Sequence, residues 1–147
     1  MNKQFEKLNI NKTEINYNNI GENERKKYIG EILNGIPNGK GIMYWNDGER
    51  HEGEWKNDRA NGKGIYFWKN GDRYEGDYRN GKREGKGVYY FKNGDRYEGD
   101  FKDDKCEGKG IYYYNNGDRS MGDYSKSKKI GKHVILTKNG EVKTENY

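Results

Sequence analysis

The sequence is dominated by a 23-residue unit that recurs without slippage. Its copies begin at Tyr28, His51, Tyr74, Tyr97 and Ser120. Three glycine columns return in register: Gly30, Gly53, Gly76, Gly99 and Gly122; Gly39, Gly62, Gly85, Gly108 and Gly131; Gly48, Gly71, Gly94, Gly117 and Gly140. Repetition at a fixed period is the signature of an architecture in which each copy adds one supersecondary unit to a stack. The chain is therefore predicted to fold as a repeat array.

The composition fits a thin array better than a thick globular core. Only 29% of the 147 residues are apolar, whereas 36% are charged and 14% are aromatic. Because each aromatic ring can bury roughly 150–250 Å², the rings can fill space that a single-layer sheet leaves open. No stretch approaches the ~20 apolar residues that cross a bilayer, and the first residues lack the apolar run of a secretory signal. We therefore expect a cytoplasmic protein that is not secreted and has no transmembrane segment.

Each copy contains two extended stretches separated by turn residues. In the third copy these are residues 74–79 and 85–92. Alternation with a period of two places Tyr74, Gly76 and Tyr78 on one face of the first stretch. Asn-Gly or Asp-Gly pairs link successive copies, and such pairs suit tight antiparallel hairpins because they accept positive φ. The sequence predicts an all-β fold, a single-layer antiparallel β-hairpin meander or solenoid.

Two columns of large side chains, most of them aromatic, accompany the glycines. They are Ile32, Trp55, Tyr78, Phe101 and Tyr124, and Trp45, Trp68, Phe91 and Tyr114. Repeated glycine inside strands indicates close packing of rings against the backbone. We predict a twisted, curled sheet whose concave side is filled by rings stacked over glycines. With two strands per copy about 4.8 Å apart, five copies would form a rod of roughly 50 Å.

The array divides the chain into three segments. Residues 1–27 are interpreted as an N-terminal cap, a degenerate hairpin or half-repeat around a polar turn at 11–14. The apolar residues of this cap are Leu8, Ile10, Ile15 and Tyr17. The five repeats are 28–50, 51–73, 74–96, 97–119 and 120–142, followed by a C-terminal tail at 143–147. The fifth copy departs from the pattern at Ser120 and His133, as terminal repeats often do, and Val134 to Leu136 predicts a last strand that turns back.

One motif carries a family resemblance. The third copy opens with Tyr74-Glu-Gly-Asp-Tyr78 and continues through Gly81, Gly85 and Gly87, with close variants in copies one, two and four. It resembles the MORN (membrane occupation and recognition nexus) repeat over residues 28 to about 142. The resemblance implies a stack of β-hairpins. It also implies the settings of the family: junctions of membrane and cytoskeleton, ciliary and flagellar assemblies, and regulatory parts of lipid kinases and methyltransferases. A cytoskeletal, ciliary or axonemal location is expected on this ground.

The residue types offer no catalytic or metal site. The chain has two histidines, one cysteine and no glycine-rich phosphate loop opening a helix. His51 stands in an aromatic column and His133 in a glycine column, so both are interpreted as structural, and Cys106 as an unpaired reduced thiol. No Cys/His cluster provides metal ligands. We expect no enzyme activity, no cofactor, no metal and no small-molecule substrate.

Charged residues recur once per copy and form ladders. The basic ladders are candidates for contact with anionic lipid, because each cation near such a surface contributes about 1 kcal/mol. Acidic ladders of the same period can pair with them and mute their field, which favours a self-neutralising face. Nucleic acid binding is not expected, because the rings are committed to packing. The candidate lipid contacts are Lys63, Lys86, Lys109, Lys126, Lys128, Lys129 and Lys132.

A single-layer sheet cannot bury both faces, so an apolar stripe containing Val88, Tyr90 and their equivalents stays partly exposed and marks a partner surface. We predict a non-catalytic scaffold of a cytoskeletal or ciliary assembly that binds a protein, either an amphipathic helix or a second copy, along an aromatic groove. The alternatives are a peripheral membrane adaptor on anionic phospholipids and a regulatory subunit of a separate enzyme. The predicted groove residues are Tyr44, Trp45, Trp55, Phe67, Trp68, Tyr78, Tyr90, Phe91, Phe101, Tyr113 and Tyr114.

Overall fold

One antiparallel sheet accounts for the fold of the residues that the structure, a computed structural model, describes: 11–18, 21 and 24–147. Each of its twelve strands pairs with the next one along the chain. The strands are β1 (Asn11–Asn16), β2 (Arg25–Leu33), β3 (Ile36–Trp45), β4 (Arg50–Lys56), β5 (Arg59–Phe67), β6 (Arg73–Arg79), β7 (Lys82–Tyr90), β8 (Arg96–Lys102), β9 (Lys105–Tyr113), β10 (Arg119–Ser125), β11 (Lys128–Leu136) and β12 (Val142–Asn146). Within the described ranges there is no helix. The predicted all-β, single-sheet meander is confirmed.

Two kinds of turn alternate along the sheet. Inside each repeat a two-residue turn joins the strands, and both residues have positive φ, as at Asn57 (49°) and Asp58 (64°). This is the type I′ geometry, whose twist matches that of the flanking strands. Between repeats the connection is longer. Residues 68–72 join β5 to β6, and only Gly71 among them has positive φ (94°).

The Asn-Gly links between repeats are therefore not the tight hairpins predicted from the sequence. The Gly71 N–H donates to the Trp68 carbonyl (3.0 Å), which closes a turn directly before the glycine. Asn70 keeps a negative φ, so the pair does not meet the type I′ requirement. The glycine supplies the left-handed residue that follows the turn in a longer hairpin loop.

Side chains of these longer loops join each repeat to the next. The Asp72 carboxylate accepts hydrogen bonds from the Lys92 N–H (2.9 Å) and from the Tyr89 hydroxyl (2.8 Å). Asp95 repeats this arrangement one copy later. Burial alone would raise the pKa of Asp72, but the hydrogen bonds it accepts hold that pKa below its ordinary value. The loop edge of the sheet is thus tied together from repeat to repeat.

The core lies on one face of the sheet, and its largest rings cover glycines. Tyr28, Tyr74 and Tyr97 are at most 1% exposed. A Cβ atom on Gly87 would lie 2.3 Å from the Tyr74 hydroxyl oxygen, so a larger residue does not fit there. That hydroxyl donates to the backbone carbonyl of Asp77 (3.2 Å), which satisfies it inside the core. Rings stacked over glycines are therefore observed, but they are the leading rings of the copies, such as Tyr74 and Tyr97, and not the two predicted columns.

A bulge interrupts the alternation in the second strand of the third repeat. β6 advances by two residues from Gly76 to Tyr78, whereas the partner positions on β7, Gly87 and Arg83, are four residues apart. Gly85 lies in this bulge with a φ of 80°. The Lys86 N–H, released from the ladder, donates to the Asp77 carboxylate (3.2 Å). Equivalent register shifts occur in β5 and β9, so the second strand starts earlier than predicted and its first half does not follow simple alternation.

Strands cover both ends of the repeat array. The predicted polar turn at 11–14 is wrong, because β1 pairs with β2 from Asn11 opposite Ile32 onward. Ile15 and Tyr17 pack against the core; the other two apolar residues assigned to the cap, Leu8 and Ile10, lie outside the described residues. At the other end β12 returns along β11, so the predicted tail at 143–147 lies mostly in a strand.

The fifth repeat exchanges the positions of a large and a small residue. Ser120 stands where earlier copies have a ring, and His133 stands where they have a glycine. The His133 ring fills the space over Gly122, where a Cβ atom would lie 2.5 Å from it. The His133 Nε2 lies 2.9 Å from the Asp123 carbonyl oxygen, which is equivalent to the carbonyl that the tyrosine hydroxyl bonds in other copies. The His133 Nδ1 lies 3.1 Å from Ser120 Oγ. Because a carbonyl only accepts, Nε2 carries the proton of that hydrogen bond.

Candidate functional site

The sheet face opposite the core carries three rows of side chains that run across the strands. We name the central one the middle row. Aliphatic and acidic residues alternate in it from strand to strand as far as Ile111, and the apolar Met121 ends it. Its members are Ile42, Glu52, Ile65, Glu75, Val88, Glu98, Ile111 and Met121. The alternation arises because the second, third and fourth repeats place Glu on their first strand and an aliphatic residue opposite it on their second, as with Glu75 and Val88.

An open groove follows the middle row. It has a volume of about 1210 Å³ and extends from Glu52 on β4 to Met121 on β10. The backbone of glycine pairs such as Gly76 and Gly87 also lines it. A second, smaller groove of about 470 Å³ continues it toward β2 and shares Glu52 as a lining residue. The aliphatic side chains in the groove are only half-buried, since this side of the sheet has no second layer.

An arginine–aromatic row borders the groove on one side, with cations and rings opposite each other on successive strands: Tyr44, Arg50, Phe67, Arg73, Tyr90, Arg96 and Tyr113. The guanidinium carbon of Arg50 lies 3.6 Å from the centre of the Phe67 ring. The guanidinium carbon of Arg73 lies 4.2 Å from the centre of the Tyr90 ring. Such stacking is a cation–π contact and covers one side of each ring. Arg50 also forms an ion pair with Glu52 (2.7 Å), which links this row to the middle row.

A lysine–acid row borders the groove on the other side. Its opposing pairs are Lys40 with Glu54, Lys63 with Asp77, Lys86 with Asp100, and Lys109 with Asp123. Lys63 Nζ lies 2.6 Å from the Asp77 carboxylate, and Lys86 Nζ lies 2.5 Å from that of Asp100. The lysine side chains are nevertheless 72–74% exposed, so each ion pair contributes little to stability. Their effect is to cancel the charge of the row locally.

A scan against models of protein families finds four consecutive MORN repeats, at residues 28–50, 51–73, 74–96 and 97–119, which together span well over half of the chain. The chain belongs to the MORN repeat family. Comparison with curated proteins gives no match. MORN repeats are modules that bind proteins or membranes, and the family is in general non-catalytic. The part of the MORN chain that the structure describes contains no helix with the length and apolar character of a membrane span.

The eleven predicted groove rings of the MORN array do not form one groove. Trp55, Tyr78 and Phe101 are buried in the core, with 4–8% exposure. Four others, half-buried, are on the core face and extend its packing: Trp45, Trp68, Phe91 and Tyr114. The last four, Tyr44, Phe67, Tyr90 and Tyr113, belong to the arginine–aromatic row. Of these four, Tyr90 lines the groove. The rings split because residues next to each other in a strand point to opposite faces.

The predicted lipid-contact lysines of the MORN array are also separated. Lys63, Lys86 and Lys109 line the groove. Lys129 lies on the core face, where its Nζ donates to the Tyr114 hydroxyl (2.8 Å). Lys126 occupies a type I′ turn, and the exposed Lys128 and Lys132 belong to β11. The run of lysines near the end of the sequence therefore does not form a single basic patch.

The alternation of the middle row is the feature that the sequence analysis missed. The residues themselves were visible, as an acidic ladder and an apolar stripe. Their interleaving depends on which residue of β6 faces which residue of β7, and the bulge at Gly85 sets that register. Across the described residues no group of three or more His, Cys, Asp or Glu side chains is arranged to hold a metal ion.

Proposed function

We propose that this MORN array is a non-catalytic protein-interaction scaffold that binds its partner along the groove of the middle row. The observation that carries the proposal is the row of half-buried aliphatic residues, Ile65, Val88 and Ile111, on the face that has no covering layer. An uncovered apolar surface that is rimmed by polar residues marks an interaction site. A partner that covers them would remove their apolar surface from water, which favours binding through the hydrophobic effect.

The borders of the groove support a protein partner over a membrane. The lysines nearest the groove already face carboxylates, as Lys63 faces Asp77 and Lys86 faces Asp100. A lipid surface would have to displace these pairs, whereas a folded partner can present charges of both signs. A cytoskeletal or ciliary assembly is the proposed setting, and regulation of a separate enzyme is the alternative among protein partners. Both rest on the family, whose modules bind proteins or membranes.

The test of the groove is the change Val88→Arg in the full chain, with Val142→Arg as a matched control. Val142 is 67% exposed on β12, outside the groove. Partners are cross-linked in extracts of the source cells and identified by mass spectrometry. We expect Val88→Arg to lose the specific partner and Val142→Arg to keep it. Equal capture by both variants would exclude the groove as the binding surface.

The setting is tested separately by extraction of the source cells with mild detergent. Retention of the protein with the insoluble cytoskeleton or axoneme after removal of lipid supports the scaffold. Release together with the membranes contradicts it. Co-purification with a catalytic chain would instead identify the array as a regulatory subunit.

A further inference from the structure

We infer that the groove binds an α-helix with an aliphatic residue at every seventh position and a Lys or Arg about midway between these residues. The inference rests on the proposed binding function of the groove and specifies the partner. It follows from the spacing and from the charge of the middle row.

The spacing of the middle row matches a helix. Neighbouring strands lie about 4.8 Å apart, so Ile65, Val88 and Ile111 follow each other at roughly 10 Å, with a glutamate halfway between them. A helix rises 1.5 Å per residue, which places residue i+7 about 10.5 Å along and residues i+3 and i+4 about 4.5–6 Å along. The same stripe of a helix therefore meets both the aliphatic and the acidic positions.

Other peptide conformations do not match both positions. In an extended strand the residues of one face are roughly 6.6 Å apart, which fits neither the 4.8 Å nor the 10 Å step. In a polyproline II helix every third residue returns after about 9.3 Å, which fits the aliphatic positions. The residues between them point away from that face, so none meets the glutamates.

The charge of the row favours cations on the partner. Glu52 is held by Arg50 at 2.7 Å, but Glu75 lies 4.0 Å from Arg73. Glu98 has no ion pair in the part of the chain that the structure describes. Arg96, two residues before it on the same face, stacks on the Tyr113 ring, with the guanidinium carbon 3.9 Å from the ring centre. Glu75 and Glu98 are thus the acidic positions open to a Lys or Arg of a bound helix.

The length of the groove sets the length of the helix. From β4 to β10 there are six strand spacings, or about 29 Å. A helix of about 19 residues covers this distance, which corresponds to nearly three heptads. Laying an amphipathic helix in an apolar groove with anchors at this spacing is an established mode of peptide recognition.

The experiment uses synthetic peptides of three heptads and fluorescence anisotropy with the full-length protein. The cationic peptide carries Leu at every seventh position and Lys three residues after each Leu, with Ala and Gln elsewhere. The acidic peptide has Glu in place of each Lys, and a third peptide has the cationic composition without the period. We expect the cationic peptide to bind at least about tenfold more tightly than the other two, as two ion pairs of moderate strength allow.

Charge reversal on the protein supplies the decisive comparison. The double change Glu75→Lys and Glu98→Lys should reverse the preference toward the acidic peptide. The control, Glu141→Lys with Glu145→Lys, makes the same change of net charge at exposed positions outside the groove and should keep the cationic preference. Circular dichroism verifies that each variant is folded. Binding of neither peptide, or a preference that does not respond to Glu75 and Glu98, would overturn the inference.

This result is separable from the test of the proposed function. If Val88→Arg loses the cellular partner but no helical peptide binds, the groove is the binding surface and the helix inference is wrong. If Val88→Arg keeps the cellular partner, the proposed function itself fails.

Discussion

Ser120 and His133 show that a repeat can keep its core while its residues change places. The His133 ring fills the space over Gly122, and its Nε2 bonds to the carbonyl that a tyrosine hydroxyl reaches elsewhere. His133→Gly alone should lower the free energy of unfolding by about 2–4 kcal/mol, because it leaves a cavity. Ser120→Tyr alone should also destabilise, because the new ring meets His133.

The double variant, Ser120→Tyr with His133→Gly, restores the arrangement of Tyr97 over Gly110 and should recover most of the loss. Urea unfolding of the four proteins measures the coupling free energy, expected at about 2 kcal/mol or more. Losses that simply add would show that the two positions do not share one space.

His51 makes the stability of the array depend on pH. Its ring is 2% exposed, its Nε2 has no hydrogen-bond partner within the described residues, and burial lowers its pKa from 6.5 to about 4. Between these two pKa values His51 is therefore protonated in the unfolded chain but neutral in the folded chain. The contribution of His51 to the free energy of unfolding is fully present above pH 6.5 and is lost as the pH drops toward 4. The free energy of unfolding should fall by about 2 kcal/mol between pH 7 and pH 5.

The change His51→Tyr should remove this dependence, since tyrosine occupies the same position in the first, third and fourth copies. Urea midpoints at pH 7 and pH 5 test it in both proteins. A difference between the two pH values that is the same in the wild type and in His51→Tyr would assign the effect to other groups.

At the scale of the element, the loops between repeats hold the strands in register. Asp72 accepts hydrogen bonds from the Tyr89 hydroxyl and the Lys92 N–H, across the junction of two repeats. Asp72→Ala should lower the free energy of unfolding by about 1–3 kcal/mol, because both donors lose a partner. Tyr89→Phe should lower the free energy of unfolding by less. Because the two side chains share one hydrogen bond, the loss in the double variant should be smaller than the sum of the two single losses.

Tyr90→Phe is the control for this cycle, since it removes a neighbouring hydroxyl on the groove face. It should leave stability nearly unchanged. Equal losses in Tyr89→Phe and Tyr90→Phe would show that the contact with Asp72 does not join the repeats.

At the scale of the whole molecule, pairing of charges limits attraction to membranes. The formal net charge is +5, but the groove lysines face acids and the lysines of residues 126–132 lie on different surfaces. The screening length at physiological ionic strength is about 8 Å, so the remaining excess acts only at short range. In flotation assays we expect binding to vesicles rich in anionic lipid at low salt and its loss at about 0.15 M salt. Binding that persists at that salt would favour the membrane adaptor.

The sequence was sufficient for the sheet and for its core, because both follow from periodic side chains. Rings and glycines at fixed spacing predict close packing wherever they recur, although the ring that covers Gly87 is Tyr74 and not a member of the two predicted columns. The groove was not predictable in the same way. Its interleaved row depends on strand register, and register depends on the bulge at Gly85 and on loops held by Asp72. These are contacts between residues of different strands, which a pattern along one strand does not encode.

The exchange of Ser120 and His133 has a consequence for counting. The space over each pair of small residues is filled by a ring, and that ring can come from either strand of the hairpin. A motif that expects the ring at one fixed position counts four units over residues 28–119, whereas the hairpin of β10 and β11 is a fifth of the same construction. A pattern that scores the filled volume of a hairpin, and not the identity at each column, would also score the hairpin of β10 and β11.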